Sequence, residues 1–366
     1  MKKILVSLIS QQTLPNFMLI KDEKFQNVDE YIFVNTELTI KRGIYDNLLS
    51  ALGLAEEQYR SITVKEDSRE NIREKIAAEN LDAQNSYVIN MTGGTKPMSL
   101  WTLEYFQENM EQLEAYYLTF PKPTYKRTFP YGSEATFELS YEISLKEYLD
   151  CYGVEIENNE INYTLTEAPH PPEELVSLSP KSLRRKIKET PNPSQYGRYY
   201  TGNQWFEEYL YKMLKSALPI KDNQIAFGVK FKHTDAEVEN EFDIMFIYKN
   251  KLHVVEAKTA GFLSKQRKCT KCNQMFQDKE KGKDLYYSSL YKLTAVKRNF
   301  GLFIQGYIFT KDKLRQENKV DWMVGYKRRA DSLSIKLLDG KHIFPRQIKD
   351  QIISLIDPAL TSQPCS

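Results

Sequence analysis

ENEFDIMFIYKNKLHVVEAK, residues 239–258, decides how the C-terminal half of this chain is read. Two strand-like runs, Glu239–Tyr248 and Leu252–Lys258, flank the polar turn Lys249-Asn250-Lys251. Side chains alternate faces along a strand, so Glu256 and Lys258 project together while Val255 and Ala257 point the other way. In the first run Phe242, Ile244 and Phe246 share one face and Asp243 opens onto the other. Pairing the strands sets Asp243 beside Glu256, two carboxylates able to share a divalent cation, with an ammonium group two residues on. Metal-assisted phosphodiester hydrolysis needs those parts: oxygen ligands for a hard cation and a positive group near the attacking water. Alternating charges also occur on solvent-facing hairpins, where they carry no chemistry. The mostly apolar Leu252-His253-Val254-Val255 that leads into Glu256 argues for a buried strand, on which ionised groups are costly without a task.

Asp243 followed by Glu256-Ala257-Lys258 on the next strand resembles the Asp…(Asp/Glu)-x-Lys core of restriction-endonuclease-like nucleases, the PD-(D/E)xK fold. The likeness implies Mg²⁺ or Mn²⁺ held by Asp243, Glu256 and the carbonyl of Ala257, with Lys258 positioning the water or steadying the pentavalent phosphate. It also implies an acid from a helix ahead of the Asp strand. Gly202–Leu218 reads as that helix: at about 100° per residue, Phe206, Leu210, Met213, Leu214 and Ala217 fall in one arc. Glu207 lies on the border of the arc and Glu208 points away, so Glu207 is the expected metal-site acid and Glu208 a surface residue. Further on, Lys283–Arg298 reads as a long helix whose Lys292 and Lys297 face either phosphate or solvent. A strand at Leu302–Phe309, a charged helix near Lys311–Asn318, a strand at Leu333–Leu337 and a helix at Arg346–Ile356 complete an α/β domain.

The first 150 residues alternate strands and helices, as in a parallel, doubly wound sheet. Ligands of such sheets bind at the carboxyl ends of the strands, where loops enter helix N-termini. Two loops stand there, Ser10-Gln11-Gln12-Thr13-Leu14-Pro15-Asn16 after the first strand and Asn90-Met91-Thr92-Gly93-Gly94-Thr95-Lys96-Pro97-Met98 after the fourth. In the second, Gly93-Gly94 allows close backbone approach, Thr95 can cap the helix, and Lys96 adds a cation beside exposed N–H groups. That combination suits a phosphate, though a bare Gly-Gly turn is also an ordinary structural feature; neither the Walker spacing nor GxGxxG is present. Arg42, after the second strand, reads as a surface residue.

The string MTGGTKPMS after a strand, together with the first loop, resembles the ligand loops of the CRISPR-associated Rossmann-fold (CARF) sensors. These bind cyclic oligoadenylates made by type III CRISPR complexes. By that likeness Ser10, Gln11, Thr13, Asn16, Thr92, Gly93, Gly94, Thr95 and Lys96 fall on ligand-contacting positions. The resemblance implies a Rossmann-like sensor at residues 1–150, a connector at 151–195 and the nuclease domain at 196–366. It further implies a homodimer formed through the sensor, with cyclic tetra-adenylate the common activator of this arrangement.

Composition agrees with two globular domains: 366 residues, 41% of them hydrophobic. No apolar run approaches a membrane span, and Met1-Lys2-Lys3 leads straight into ILVSLIS, so the expected protein is cytoplasmic with no membrane partner. Net charge hides an asymmetry. Residues 1–150 carry 16 Lys and Arg against 23 Asp and Glu, and residues 151–366 carry 35 against 26, so the C-terminal part is the partner suited to a polyanion. Four cysteines make no disulfide framework. Cys269-Thr270-Lys271-Cys272 is half a zinc site without its second pair, and reads as an insertion loop before a zinc knuckle. His170, between prolines, reads as exposed, and His253 as structural.

The expectation is a cyclic-oligoadenylate-activated, metal-dependent nuclease of type III CRISPR defence, cleaving DNA, with RNA as a further substrate. Two other classes fit the same motifs: an ungated repair or restriction nuclease, and a non-enzymatic sensor that binds nucleic acid.

Overall fold

The computed structural model describes residues 1–119, 124–132, 135–156, 168–190, 196, 199–200, 204–233, 240–259, 266–268, 275–277, 279–297, 300–301, 304–311, 321–340, 343 and 347–362. The body of one compact unit is Met1–Glu155, and that of the other is Ile156–Lys232 with Val238–Ser366. No helix among the described residues is long and apolar enough to cross a membrane.

The first unit begins with parallel strands β1 (Lys3–Leu8), β2 (Glu30–Asn35), β3 (Tyr59–Thr63), β4 (Ser86–Asn90) and β5 (Gln112–Thr119). Between them run α1 (Leu14–Lys21), α2 (Glu37–Lys41), α3 (Ile44–Leu52), α4 (Arg69–Ala78) and α5 (Lys96–Asn109). Helices α2 and α3 are separated at Gly43, whose φ of 66° only glycine adopts at little cost. Strands β6 (Thr124–Phe129) and β7 (Ala135–Glu138) add an antiparallel hairpin, giving the order β3-β2-β1-β4-β5-β6-β7. Ile72 and Ile76 of α4 and Met98, Leu103 and Phe106 of α5 pack with Ile4, Val6, Leu8, Ile32 and Val34 on one face of the sheet. Across the sheet, Tyr45 of α3 sets its ring edge-on to Phe33. Covered on both sides, β1, β2 and β4 read as near-continuous apolar runs for this reason. A last helix, α6 (Leu145–Asp150), is closed by a reciprocal cap between Ser144 and Glu147 and followed by the buried free thiol of Cys151.

Because β2 lies on one side of β1 and β4 on the other, the crevice at their carboxyl ends is the topological switch point of the sheet. Loops 10–16 and 90–98 flank it. The second loop lies directly on the end of β1: a Cβ added to Gly93 would sit 1.7 Å from the carbonyl oxygen of Leu8.

Strand β8 (Val154–Ile156) falls at the boundary of the two units. The second unit holds the strand order β15-β14-β11-β10-β9, made of β9 (Ile225–His233), β10 (Asn240–Tyr248), β11 (Lys251–Lys258), β14 (Ile304–Thr310) and β15 (Ile335–Leu338), with β12 (Gln266–Lys268) and β13 (Met275–Gln277) paired apart. Strands β9, β10 and β11 are antiparallel neighbours, whereas β11, β14 and β15 run parallel. Its helices are α7 (Pro172–Ser177), α8 (Pro180–Glu189), α9 (Gln204–Ala217), α10 (Lys279–Lys297), α11 (Asp321–Ser332) and α12 (Ile348–Ile356). Phe206, Leu210 and Leu214 of α9 share a core with Ile244, Phe246, Val255, Ala257, Tyr307 and Phe309.

Several expectations change. Residues 168–190, read as connector, belong to this unit's core, because Leu175 and Val176 of α7 are buried there with Leu183 and Ile187 packed against them. Helix α11 was not expected; the charged helix near Lys311–Asn318 falls, beyond Lys311, outside the described residues, as do Cys269 and Cys272. Phe242 does not join Ile244 and Phe246 but packs on Phe231 and Phe300, with ring centroids 5.3 and 6.5 Å away. The change comes at the Asp243–Gly228 position, which drops out of an otherwise continuous β9–β10 register where Gly228 has a φ of 61°.

Gly93→Ala is expected to destabilise the N-terminal unit by about 3 kcal/mol, since either loop 90–98 or β1 has to shift to admit the methyl. An unshifted urea midpoint would show that the loop yields freely.

Candidate functional site

At the switch point a polar knot fixes both loops. Asn16 of α1, fully buried, donates through Nδ2 to the Leu8 carbonyl at 2.9 Å and accepts from Asn90 Nδ2 at 2.9 Å and Ser7 Oγ at 3.2 Å. Asn90 in turn accepts from the Thr92 amide at 3.1 Å. Thr13, 1% exposed, donates to the Cys151 carbonyl at 2.6 Å. Thr13 and Asn16 are thus buried and anchor loop 10–16 through these bonds. Thr92 is half-committed as well, its hydroxyl accepting from the Leu118 amide at 2.8 Å. Ser10 accepts from the Gln12 amide at 3.3 Å, while Gln11 and Lys96 are exposed. Thr95 caps α5 by accepting from the Met98 amide at 3.4 Å, and Gly94 takes a φ of 73°. What stays open at the crevice is Gln11, part of Gly94 and the side chain of Lys96 at the start of α5, a cation suited to an anion.

In the second unit the β10–β11 ladder ends at the pair Ile244 and Val255. Beyond it the Asp243 carboxylate accepts the Ala257 amide at 2.6 Å, taking a hydrogen that a ladder carbonyl would otherwise hold. The antiparallel register then puts Asp243 and Glu256 on one face. Glu256 is 2% exposed and each of its oxygens is taken by a lysine: Lys258 at 2.7 Å and Lys292 of α10 at 2.6 Å. Lys258 also stands 3.6 Å from Asp243. Glu207 of α9 faces the same cluster, near enough for the charges of Asp243, Glu241 and Glu256 to act on it. Asp243, Glu256, Lys258 and Glu207, predicted from four places in the sequence, therefore meet.

Other side chains go elsewhere. Glu208, expected at the surface, is 2% exposed and pairs with Lys212 at 2.8 Å, one helical turn on. Lys297 braces α10 by donating to the Ser334 carbonyl at 3.4 Å and takes no part in the cluster. His170 is half-buried beside Glu174, at 3.6 Å, and not exposed. His253 stacks on Phe246 with centroids 4.7 Å apart and meets the Tyr307 hydroxyl at 3.0 Å; burial pushes it down to about 3, so it stays neutral.

Residues 4–148 match the model of the Card1 CARF domain, and residues 194–352 that of the Card1-like endonuclease domain. The chain belongs to the CARF nucleases. Among solved structures it is similar to Can2 from Sulfobacillus thermosulfidooxidans in complex with cyclic tetra-adenylate, at 19% identity and TM-score 0.67, covering 97% of this chain and 99% of that one. It is also similar to the protein VC1899 from Vibrio cholerae, at 17% identity and TM-score 0.68, covering 95% and 97%. A type III CRISPR defence DNA nuclease activated by cyclic oligoadenylate aligns at 16% identity and TM-score 0.53, over 84% of this chain and 45% of that one. No curated protein matches the chain.

Electrostatics distinguish the acids of this CARF nuclease. Burial, then the charge of Asp243, pushes Glu207 up to about 8. Burial, then Glu256, raises Asp243 to about 6. Lys258 loses basicity to burial but regains more from Asp243 and Glu256, so it stays protonated. A crowd of acids whose charges are this costly together calls for more positive charge than two lysines supply. Among the described residues no three His, Cys, Asp or Glu side chains are grouped so as to ligate an ion as they stand, and both Glu256 oxygens are paired with lysines. The donors themselves are oxygen only, which suits a hard divalent cation.

Two members of the cluster escaped sequence reasoning. Glu241 acts on Glu207, and its place two residues before Asp243 was the available signal. Lys292 was left between phosphate and solvent, since nothing local in a helix names a carboxylate on a distant strand.

Metal-free protein is expected to lose stability between about pH 5 and about pH 8. In that window the folded chain keeps protons on Asp243 and Glu207 that the unfolded chain has released, so stability falls as pH rises. Urea midpoints of wild type and Glu207→Gln should converge at low pH and separate toward pH 8, with the variant the more stable. Parallel profiles would refute the assignment.

Proposed function

We propose that this CARF nuclease is a cyclic-oligoadenylate-gated, metal-dependent PD-(D/E)xK endonuclease, with cyclic tetra-adenylate as activator and DNA, and RNA as well, as substrate. The observation that carries the reading is the meeting of Asp243, Glu256 and Lys258 at the end of one buried hairpin, in an endonuclease domain that follows a CARF domain. Asp243, Glu256 and the Ala257 carbonyl, with Glu207 beside them, would hold Mg²⁺ or Mn²⁺. Such an ion, when bound, lowers the pKa of a water and withdraws charge from the phosphate. Lys258, kept protonated, orients that water and stabilises the charge that builds on the phosphate oxygens. Glu207 gives up its proton as positive charge enters the cluster.

In the CARF domain, Gly94, Gln11 and the ammonium of Lys96 at the start of α5 are the groups exposed to ligand phosphates. Leu38 and Ile40 of α2 and Leu100 of α5 are 49%, 38% and 61% exposed at the same carboxyl edge of the sheet. These apolar side chains support a homodimer that closes over a two-fold ligand. Gating then requires that the ligand bind one arrangement of the dimer more tightly than another.

Glu256→Gln is expected to lower Mn²⁺-dependent cleavage of plasmid and single-stranded substrates by about a thousandfold or more, with folding retained. Lys96→Ala should raise the cyclic tetra-adenylate concentration for half-activation by about tenfold and leave the fully activated rate unchanged. Equal cleavage by wild type with and without the cyclic nucleotide would remove the gate from this reading.

A further inference from the structure

Lys292 stands out among the groups that the catalytic scheme leaves unused. It projects from the middle of α10, and its ammonium donates to Glu256 Oε1 at 2.6 Å and to the backbone carbonyl of Glu241. The same ammonium lies 5.3 Å from the centre of the Phe242 ring. Three elements thus converge on one cation: the strand that carries Asp243, the strand that carries Glu256, and the helix that packs over them. Phe242 is turned toward it by the irregularity at Asp243 and Gly228 described above.

A divalent ion that takes Glu256 Oε1 competes with the Lys292 ammonium there, because two cations crowded on one buried oxygen repel each other. Buried to 2%, Glu256 also cannot be left bare, because an uncompensated carboxylate in that position is strongly unfavourable. Lys258 does not have this conflict to the same degree, since it stands between Glu256 and Asp243 and keeps a second carboxylate when one is taken.

The geometry points to Lys292 as an exchangeable counter-ion, an inference that rests on the metal-dependent reading given above. Without metal it neutralises Glu256 and holds the carboxylate folded into the site. When a divalent cation takes Glu256, Lys292 gives up Oε1, keeps its hold on the Glu241 carbonyl and the Phe242 face, and presents its freed ammonium to a substrate phosphate. At 36% side-chain exposure it is open enough to do so, while Glu256 beneath it is not. Lys292 is on this account a positioning residue that links metal loading to substrate binding: the protein trades one cation for another on Glu256 and gains a phosphate contact in the trade.

Opposite movements of two affinities test this. Mn²⁺ binding to the full chain is measured by calorimetry for wild type, Lys292→Gln and Lys292→Arg. Binding of a short fluorescein-labelled DNA, and of the matching RNA, is measured with Ca²⁺ in place of Mn²⁺ and cyclic tetra-adenylate present. Lys292→Gln removes the competing charge yet can still donate to Glu241, so Mn²⁺ should bind about tenfold tighter. Nucleic acid should bind about tenfold more weakly, with the salt dependence reduced by about one phosphate contact. Lys292→Arg should stay near wild type in both. Metal affinity that is unchanged or weaker in Lys292→Gln overturns the exchange, as does unchanged nucleic-acid affinity. A simple loss of folding would lower both affinities together and would also overturn it. Absence of Mn²⁺ binding by wild type would sink the metal-dependent reading itself, an outcome distinct from the failure of the exchange alone.

Discussion

A single hydrogen bond organises the nuclease half: the Ala257 amide donating to the Asp243 carboxylate at 2.6 Å. It lies just past the last β10–β11 ladder pair, satisfies the Ala257 amide in place of a ladder carbonyl, and holds Asp243 over the strand that carries Glu256. Everything else in the cluster follows from the cost of the resulting charge. Glu256, shut away from water, needs both Lys258 and Lys292; Glu207 and Asp243 hold their protons well above the ordinary carboxylate range. A site so arranged is short of positive charge, a shortage that a divalent ion would relieve.

The CARF half is governed by a different constraint, close contact without side chains. Gly93 rests on the Leu8 carbonyl, and beneath it Ser7, Asn16 and Asn90 exchange hydrogen bonds with no exposure to solvent. Such a knot is favourable only when every partner is present, so it fixes the loops of β1 and β4 in one arrangement.

Much of this was legible residue by residue. Parallel strands declare themselves by apolar runs such as Ile4–Ile9 and Tyr31–Val34, and the helix after β4 by Thr95 and Pro97 at its start. The pairing of Asp243 with Glu256 followed from strand alternation and a short turn, both local rules. Errors appeared where distant groups compete for one place. Glu208 was assigned to solvent by helical angle alone, yet a second layer, α7, covers that side of α9 and buries it against Lys212. Phe242 obeyed alternation in the sequence and left it in the fold, because the left-handed Gly228 opposite turns the strand.

Sequence alone determined the two α/β domains, the order of their strands and the chemical identity of the site, since periodicity, caps and turns act over a few residues. Only the tertiary structure decided which charges share a space. Lys292 meets Glu256 across 36 positions, and Glu207 meets Asp243 from another helix, through packing that no local pattern encodes. Burial is the physical reason: it converts neighbouring carboxylates and ammoniums from independent solvated groups into one coupled cluster, and burial is a property of the assembled core.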